Sequence, residues 1–295
     1  MSVKTIKLSV VLATYNEEKN IGECLDSAKD LADEIIVFDE YSTDRTRKIA
    51  KNYGAKVFKY KHKNNFHETK QRAIDKATGD WILQLDADEH VTPKLAKEIR
   101  AVVTNCHSEF ISESIPKRVR NGKKLKLFKK HQQLIEQREG SLGKKTGKVV
   151  AFFVPRLNFF LGKPIKHAGA YPDGVIRLFK NGKARLPGKS IHELMDVDGE
   201  VGWLFSNLEH HESPTLGRYF ERMKRYTNYH AKRLKEKNAP KNIFYATYYM
   251  IIKPKLVFAQ LFIRHKGFLD GYRGFLWSIF SSWHYPVSYV RYLKL

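Results

Sequence analysis

The first hundred residues alternate between short apolar runs and stretches with helical spacing. Leu8-Ser9-Val10-Val11-Leu12-Ala13-Thr14, Glu34-Ile35-Ile36-Val37-Phe38-Asp39 and Trp81-Ile82-Leu83-Gln84-Leu85 are nearly continuous apolar runs of strand length. Such runs are the pattern of strands buried on both faces. Residues 55–60 predict one more strand. Ile21, Cys24, Leu25 and Ala28 recur at helical spacing, so a helix over 21–31 with Asn20 as its cap is expected. Ser42-Thr43-Asp44 predicts a turn and the start of a second helix that ends at Gly54. A third helix runs from about Glu68 to Thr78 before Gly79, and Thr92-Pro93 begins a fourth. Strands alternating with helices predict a parallel α/β sheet with right-handed crossovers.

Three of these strands end in polar residues on one edge of that sheet: Thr14-Tyr15-Asn16-Glu17, Asp39, and Asp86-Ala87-Asp88. Open α/β sheets bind ligands outside the carboxyl ends of their strands. Two carboxylates spaced i, i+2 at a strand end can share a hard cation, Mg²⁺ or Mn²⁺, whose open positions take phosphate oxygens. The first two strand ends suit a base and a ribose. No Gly-x-Gly-x-x-Gly follows the first strand. A Walker loop is absent too: near Gly143-Lys144 the upstream glycine position is Arg138, and Lys145 stands where Ser or Thr is required.

Ala-Thr-Tyr-Asn-Glu-Glu at 13–18, Phe-Asp-Glu-Tyr-Ser-Thr-Asp at 38–44 and Ala-Thr-Gly-Asp-Trp-Ile-Leu-Gln-Leu-Asp-Ala-Asp-Glu at 77–89 resemble, in order and spacing, the family 2 glycosyltransferases of the GT-A fold. The resemblance implies a Rossmann-like, mostly parallel sheet with flanking helices. It also implies a nucleotide-sugar donor, usually a UDP-sugar, a divalent cation, and inversion at the anomeric carbon. By position, Ala13, Thr14, Tyr15 and Glu17 would line the nucleotide-sugar site and Asp39 would contact the uracil. Arg72 would lie near the diphosphate, while Asp86 and Asp88 would handle diphosphate and metal. One departure is Tyr41, where the family often carries a small residue, commonly Gly.

Residues 105–150 hold 12 Lys/Arg against 4 Asp/Glu and lack clear periodicity. Residues 105–147 are therefore expected to be a mobile basic insertion, with a clamp on an acidic acceptor or membrane as the functional alternative. The fold resumes near Val149. Arg177-Leu178-Phe179-Lys180-Asn181-Gly182 and His192-Glu193 resemble the lipopolysaccharide-core β-glucosyltransferase branch of the family. An inverting transferase needs a general base for the acceptor hydroxyl proton. The resemblance places Glu193 in that role, with Asp173 as second candidate, and places His210 on the cation.

Lys+Arg 54 against Asp+Glu 31 gives a net charge of +23, which favours anionic partners: nucleic acid, acidic lipid or phosphorylated substrates. A non-catalytic nucleic-acid-binding protein is one alternative, but acidic strand ends would repel phosphate without a metal, so no nucleic acid is expected. A nucleotidyltransferase is another, but its usual Gly-rich basic loop is missing after the first strand. Cys24 and Cys106 are the only cysteines, which implies no disulfide framework and fits a reducing compartment.

Residues 216–237 predict an amphipathic helix with Leu216, Tyr219, Phe220, Met223, Tyr226 and Leu234 near one stripe. Residues 241–295 are aromatic, with eight Lys/Arg and Asp270 as the one acidic residue. No apolar run reaches the roughly 18–20 residues that span a bilayer. Aromatics with cationic flanks suit the bilayer interface and anionic headgroups. The expected organisation is a GT-A catalytic domain over 1–215 and a helical, aromatic and basic extension over 216–295 on a membrane surface. The expected place is cytoplasmic, peripheral on the inner face of the cell membrane. The expected activity is transfer of a hexose, such as glucose, from a UDP-sugar to a membrane-associated glycan or glycolipid.

Overall fold

The structure is a computed structural model, and it describes residues 6–61, 66–104, 122–140, 142–144, 146–187 and 194–295. The chain divides into two compact units, Met1–Arg156 with Pro172–His210, and Leu157–Tyr171 with His211–Leu295. This differs from the division at 215: residues 157–171 group with the C-terminal helices.

The first unit begins with the expected alternation. Strands β1 (Leu8–Thr14), β2 (Glu34–Asp39), β3 (Lys56–Lys59) and β4 (Trp81–Leu85) alternate with helices α1 (Ile21–Ala28), α2 (Thr46–Asn52) and α3 (Phe66–Asp75). They pair in parallel in the order β3-β2-β1-β4. All residues of β1 and β4 are buried, because helices cover both faces of a parallel sheet. Val10, Leu12, Val37 and Leu83 pack with Ile21, Leu25 and Ala28 of α1 in the main core. Asn20 does not cap α1 with its side chain; its amide donates to Glu17 Oε2 at 2.6 Å instead. Thr92 does cap α4 (Pro93–Thr104), accepting from the Leu95 amide at 3.2 Å.

Beyond β4 the sheet continues through β8 (Asp173–Lys180), β6 (Val149–Phe160), β12 (Leu208–Ser213) and β5 (Glu89–Val91), in that order, with antiparallel pairing of β4 with β8, β6 with β8, and β12 with β5. The parallel half is therefore joined to an antiparallel half at β4, the strand that ends in the acidic cluster. β11 (Glu200–Trp203) pairs in parallel with β6.

Part of the 105–147 stretch, expected to be a mobile basic insertion, is helical. Lys123–Glu139 is a 17-residue helix, α5. Phe128 is fully buried, stacked on Trp203 with ring centroids 4.5 Å apart, and Trp203 stacks in turn on Phe153 at 4.7 Å. The Trp203 indole donates to Gln132 at 3.0 Å. Residues 105–121 lie outside the described residues.

In the second unit, α6 (Leu216–Glu236) is capped by Thr215, which accepts from the Arg218 amide at 3.2 Å. It packs along α9 (Gly271–Leu293) through Tyr219 and Met223, with Phe160 and Ile165 in the same cluster. The intervening chain is α7 (Ile243–Thr247), a π-helical turn Tyr248–Ile252, α8 (Lys253–Ala259) and a second π-helical turn Gln260–Arg264. None of these four pieces has a buried residue, and Ile243 and Phe244 are 72% and 83% exposed. Among the described residues no helix is long and apolar enough to cross a membrane.

Candidate active site

The loops after β1 and β2 are laced to each other. Thr14 and Asp39 are register partners at the ends of these strands, and the Thr14 hydroxyl donates to Asp39 Oδ2 at 3.2 Å. The Asn16 amide donates to Ser42 Oγ at 2.8 Å, and Asn16 Oδ1 accepts from the Thr43 amide at 2.8 Å. The Glu17 amide donates to Thr46 Oγ1 at 2.8 Å. These bonds fix the segment holding Ala13, Thr14, Tyr15 and Glu17. Ala13 and Thr14 are buried, whereas Tyr15 is 39% exposed and offers its ring at the surface of this segment.

Asp39 is fully buried. Its Oδ1 accepts from the Ser42 amide at 2.9 Å and pairs with Arg47 at 3.1 Å, while its Oδ2 accepts from Ser42 Oγ at 2.5 Å as well as from Thr14. A carboxylate has about four acceptor sites. As placed, Asp39 braces the loop, and the expected contact to uracil would displace one of these donors. Tyr41 has φ of 59°, a left-handed conformation that a non-glycine residue adopts at a penalty of roughly 1–2 kcal/mol. The glycine common at this position in the resembling family would adopt it freely.

The acidic cluster lies where β4 meets the antiparallel half. The Asp86 amide donates to Glu89 Oε2 at 3.0 Å, closing a tight turn between β4 and β5. Three cations meet these carboxylates. Lys70 Nζ is 2.5 Å from Asp86 Oδ1. Arg177 reaches Asp86 Oδ2 at 2.5 Å and Glu89 Oε1 at 2.7 Å, and also hydrogen-bonds Gln84. Arg156 reaches Glu89 Oε1 at 3.4 Å and Asp173 Oδ2 at 2.7 Å. The Nε atoms of Arg156 and Arg177 are buried with no hydrogen-bond partner among the described residues.

These charges split the two aspartates. Burial raises the Asp86 carboxyl, but Arg177 and Lys70 outweigh it and hold it well below the usual range. Asp88 is pushed up to about 7, first by burial and then by the charges of Asp86, Glu89 and Glu17. His210 Nε2 is 3.7 Å from Asp88 Oδ1. Cys24 lies beneath the cluster, its Sγ 3.4 Å from the Asp86 carbonyl oxygen, and burial with the Glu89 and Asp88 charges raises its thiol well above the ordinary value.

Asp88 and His210 are donors of the types a divalent cation takes. Asp88 is a carboxylate in an excess of negative charge, which a cation relieves, and a buried imidazole stands beside it. Carboxylate and imidazole together suit Mn²⁺, and carboxylate oxygen suits Mg²⁺.

Arg72, expected near the diphosphate, does not touch the acidic cluster through any described ion pair. Its guanidinium sits over the Tyr60 ring, 4.2 Å from the centroid, and donates to Glu68 Oε1 at 3.3 Å. Lys70, two residues earlier on α3 and therefore about 200° around the helix, is the cation that meets Asp86. Glu193 lies outside the described residues. Asp173 opens β8, opposite Arg156 in the β6–β8 register. The next residue is Gly174, where a Cβ would overlap the Trp203 ring, and its amide donates to His131 Nε2 of α5 at 3.2 Å. Helix α5 thus abuts the β8 start that presents Asp173. Sequence reasoning missed Lys70, Arg156 and Arg177 as neighbours of the cluster. The Arg-Leu-Phe motif contained Arg177, and its basic side chain on a strand flanking β4 was the available signal.

The sequence model described as glycosyl transferase family 2 matches residues 9–160. An uncharacterized glycosyltransferase of Rickettsia typhi is 40% identical over 96 residues, 32% of this chain and 32% of that protein. A TPR repeat-containing protein of Synechococcus elongatus is 40% identical over 95 residues, 32% of this chain and 24% of that protein. The chain thus aligns with about a quarter to a third of the length of these relatives. Among solved structures, a mannosyltransferase from Pyrobaculum calidifontis in complex with GDP-Man and Mn²⁺ is 13% identical, with 99% of this chain and 88% of that chain covered and a TM-score of 0.49. S. aureus TarS 1–349 in complex with UDP is 15% identical, with 90% and 75% covered and a TM-score of 0.43.

Proposed function

The chain belongs to glycosyl transferase family 2 and has the GT-A fold, and from that premise we propose that it is an inverting, metal-dependent transferase that moves a hexose from a UDP-sugar to a membrane-associated glycan or glycolipid. The observation that carries the reading is the division of labour at the end of β4. Asp86 is neutralised by Lys70 and Arg177, whereas Asp88 is left with excess negative charge beside His210.

Asp88 and His210, with Asp86 next to them, would hold Mg²⁺ or Mn²⁺. When bound, the ion supplies Lewis-acid stabilisation of the departing diphosphate. Lys70, Arg156 and Arg177 form a cationic wall beside the carboxylates, and the buried Nε donors of the two arginines add to it. Fixed cations of this kind stabilise charge that develops on a leaving group, because they need no reorganisation as the bond breaks. Thr14, Tyr15 and Glu17 sit on the loop that Asp39, Ser42 and Thr46 hold still, and this loop would receive the nucleoside. A carboxylate would take the acceptor hydroxyl proton: Glu193 first, Asp173 second. Transfer to a lipopolysaccharide-core acceptor, with glucose as the sugar, follows the resemblance of the 177–182 and 192–193 motifs. The exposed apolar residues of 243–264 and the basic aromatic character of the C-terminal unit suit an anionic membrane surface, at the inner face of the cell membrane.

Calorimetric titration with a panel of nucleotide sugars, in Mn²⁺ and then in EDTA, tests the reading. Metal-dependent binding of one UDP-sugar is expected and names the donor. Binding that is indifferent to EDTA removes the metal assignment, and a GDP-sugar as the sole ligand removes the UDP assignment.

A further inference from the structure

The helical unit contains a cavity of about 860 Å³ between α6, the 243–253 segment and α9. It has two kinds of wall. Met223, Trp277, Tyr245 and Tyr249 give it an apolar and aromatic side. Arg233, Lys237 and Lys253 give it a cationic side, and no Asp or Glu lines it. None of these three cations forms an ion pair with a described carboxylate, unlike Arg222 nearby, which is paired with Glu212. Lys253 instead lies over aromatic rings, 4.6 Å from the Tyr285 centroid and 5.0 Å from that of Tyr249. Burial, with His230 and Arg222 beside it, pushes the His284 imidazole in the wall down to about 4, as expected where the surrounding field is positive.

Unpaired cations around an aromatic hollow are an anion site with an apolar annex. Three observations point to an amphiphile as the anion. The apolar wall is large enough for a hydrocarbon segment rather than a bare ion. The helical segment that turns Tyr245 and Tyr249 toward the cavity leaves Ile243, Phe244 and Ile251 exposed on the same stretch. That stretch also contains a π-helical turn, Tyr248–Ile252, a local widening found often at functional sites. A hydrocarbon chain entering the cavity would therefore pass an exposed apolar surface.

We propose that this cavity binds one phosphate-bearing membrane lipid, its phosphate held by Arg233, Lys237 and Lys253 and its first apolar segment against Tyr245, Tyr249 and Trp277. The site lies wholly within the helical unit and does not depend on the transferase reading. Arg and Lys meet a phosphate with charge-assisted hydrogen bonds, and the aromatic side removes the chain from water.

The test is calorimetry of the full chain with dihexanoyl phosphatidic acid as a monomer in solution, compared with dihexanoyl phosphatidylcholine, glycerol 3-phosphate and inorganic phosphate. One-to-one, saturable binding of the phosphatidic acid is expected, at least about tenfold tighter than any of the other three. The double variant Arg233→Gln, Lys237→Gln is expected to weaken it by about tenfold or more. Both side chains are exposed, and an unchanged circular dichroism melt verifies the fold; Lys253→Gln provides an independent second variant. Phosphate or glycerol 3-phosphate binding as tightly as the lipid would show an ion site without a lipid. Phosphatidylcholine binding as tightly would show adsorption to apolar surface. Either result, or unchanged affinity in both variants, overturns the proposal. Asp88→Ala should leave this binding intact, so loss of donor binding and loss of lipid binding are separate outcomes.

Discussion

His210 Nε2 stands 3.7 Å from Asp88 Oδ1 because β12 pairs with β5 in a register that sets His210 opposite Glu89. The pairing brings a buried imidazole to Asp88, a carboxylate on which neighbouring negative charges outweigh the opposing charge of Arg156. Asp86 has Lys70 and Arg177; Asp88 has three carboxylates around it. Asp88→Ala is therefore expected to lower transfer by at least about a hundredfold. The melting temperature of the metal-free protein should not fall, because the change removes a mutually repelled buried acid. Steady-state rates and thermal melts report the two quantities, and full activity in the variant would exclude Asp88 from the metal site.

Lys70 and Arg72 make a matched pair of tests. Lys70 touches Asp86, and Arg72 stacks on Tyr60. Lys70→Met is expected to reduce kcat/KM by about ten- to a hundredfold, with weaker UDP binding by calorimetry. Arg72→Met removes a half-exposed side chain that contacts Glu68 and Tyr60 and should change kcat/KM by less than about threefold. The reverse order of effects would favour Arg72 over Lys70 as the diphosphate cation.

The parallel half of the sheet was legible because its strands are buried on both faces. β1, β2 and β4 read as nearly continuous apolar runs, and the polar residues after them marked the ligand edge. Position along the chain did not reveal which cation meets Asp86, since Lys70 and Arg72 differ only by rotation about α3. Asp39 was expected to contact the uracil, but the order of residues did not reveal that Ser42, Thr14 and Arg47 all reach its carboxylate. Helix α5 was illegible for a different reason. Among its described side chains only Phe128 and Ile135 are buried, most of its 17 residues are polar and no periodic stripe forms. Its partner, Trp203, lies far along the chain, and local patterning carries no record of that contact. The antiparallel half was hidden likewise, because its short strands pair across long sequence separations.

The choice of base is decided by two substitutions. Glu193→Gln keeps shape and hydrogen bonding but cannot accept the acceptor proton. It is expected to lose turnover by about 10²–10⁴-fold with donor affinity unchanged. Asp173→Asn removes the charge of Arg156's 2.7 Å partner but keeps an acceptor oxygen, and Arg156 retains Glu89, so a smaller loss is expected. Wild-type turnover by Glu193→Gln, together with a dead Asp173→Asn, would move the base to Asp173.

Glu34 ties three parts of the first unit together through one carboxylate. Its oxygens accept from Ser9 Oγ at 2.5 Å, the Thr78 amide at 2.6 Å and Thr78 Oγ1 at 2.9 Å, and pair with Lys56 at 3.0 Å. Burial raises this carboxyl, but the donors outweigh it and bring it down to about 2. The folded value lies below the unfolded one, near 4.5, so the stabilisation is fully present above about pH 4.5 and is lost as pH falls toward 2. Lys56 is largely exposed and solvent screens the pair, so a contribution of about 1–2 kcal/mol is expected rather than the full titration energy. Glu34→Gln should therefore unfold at lower temperature than wild type at pH 7, and the gap between the two melting curves should narrow steadily from about pH 4.5 to about pH 2.5. A gap that persists unchanged at that pH would trace the loss to side-chain shape and not to the carboxylate's charge.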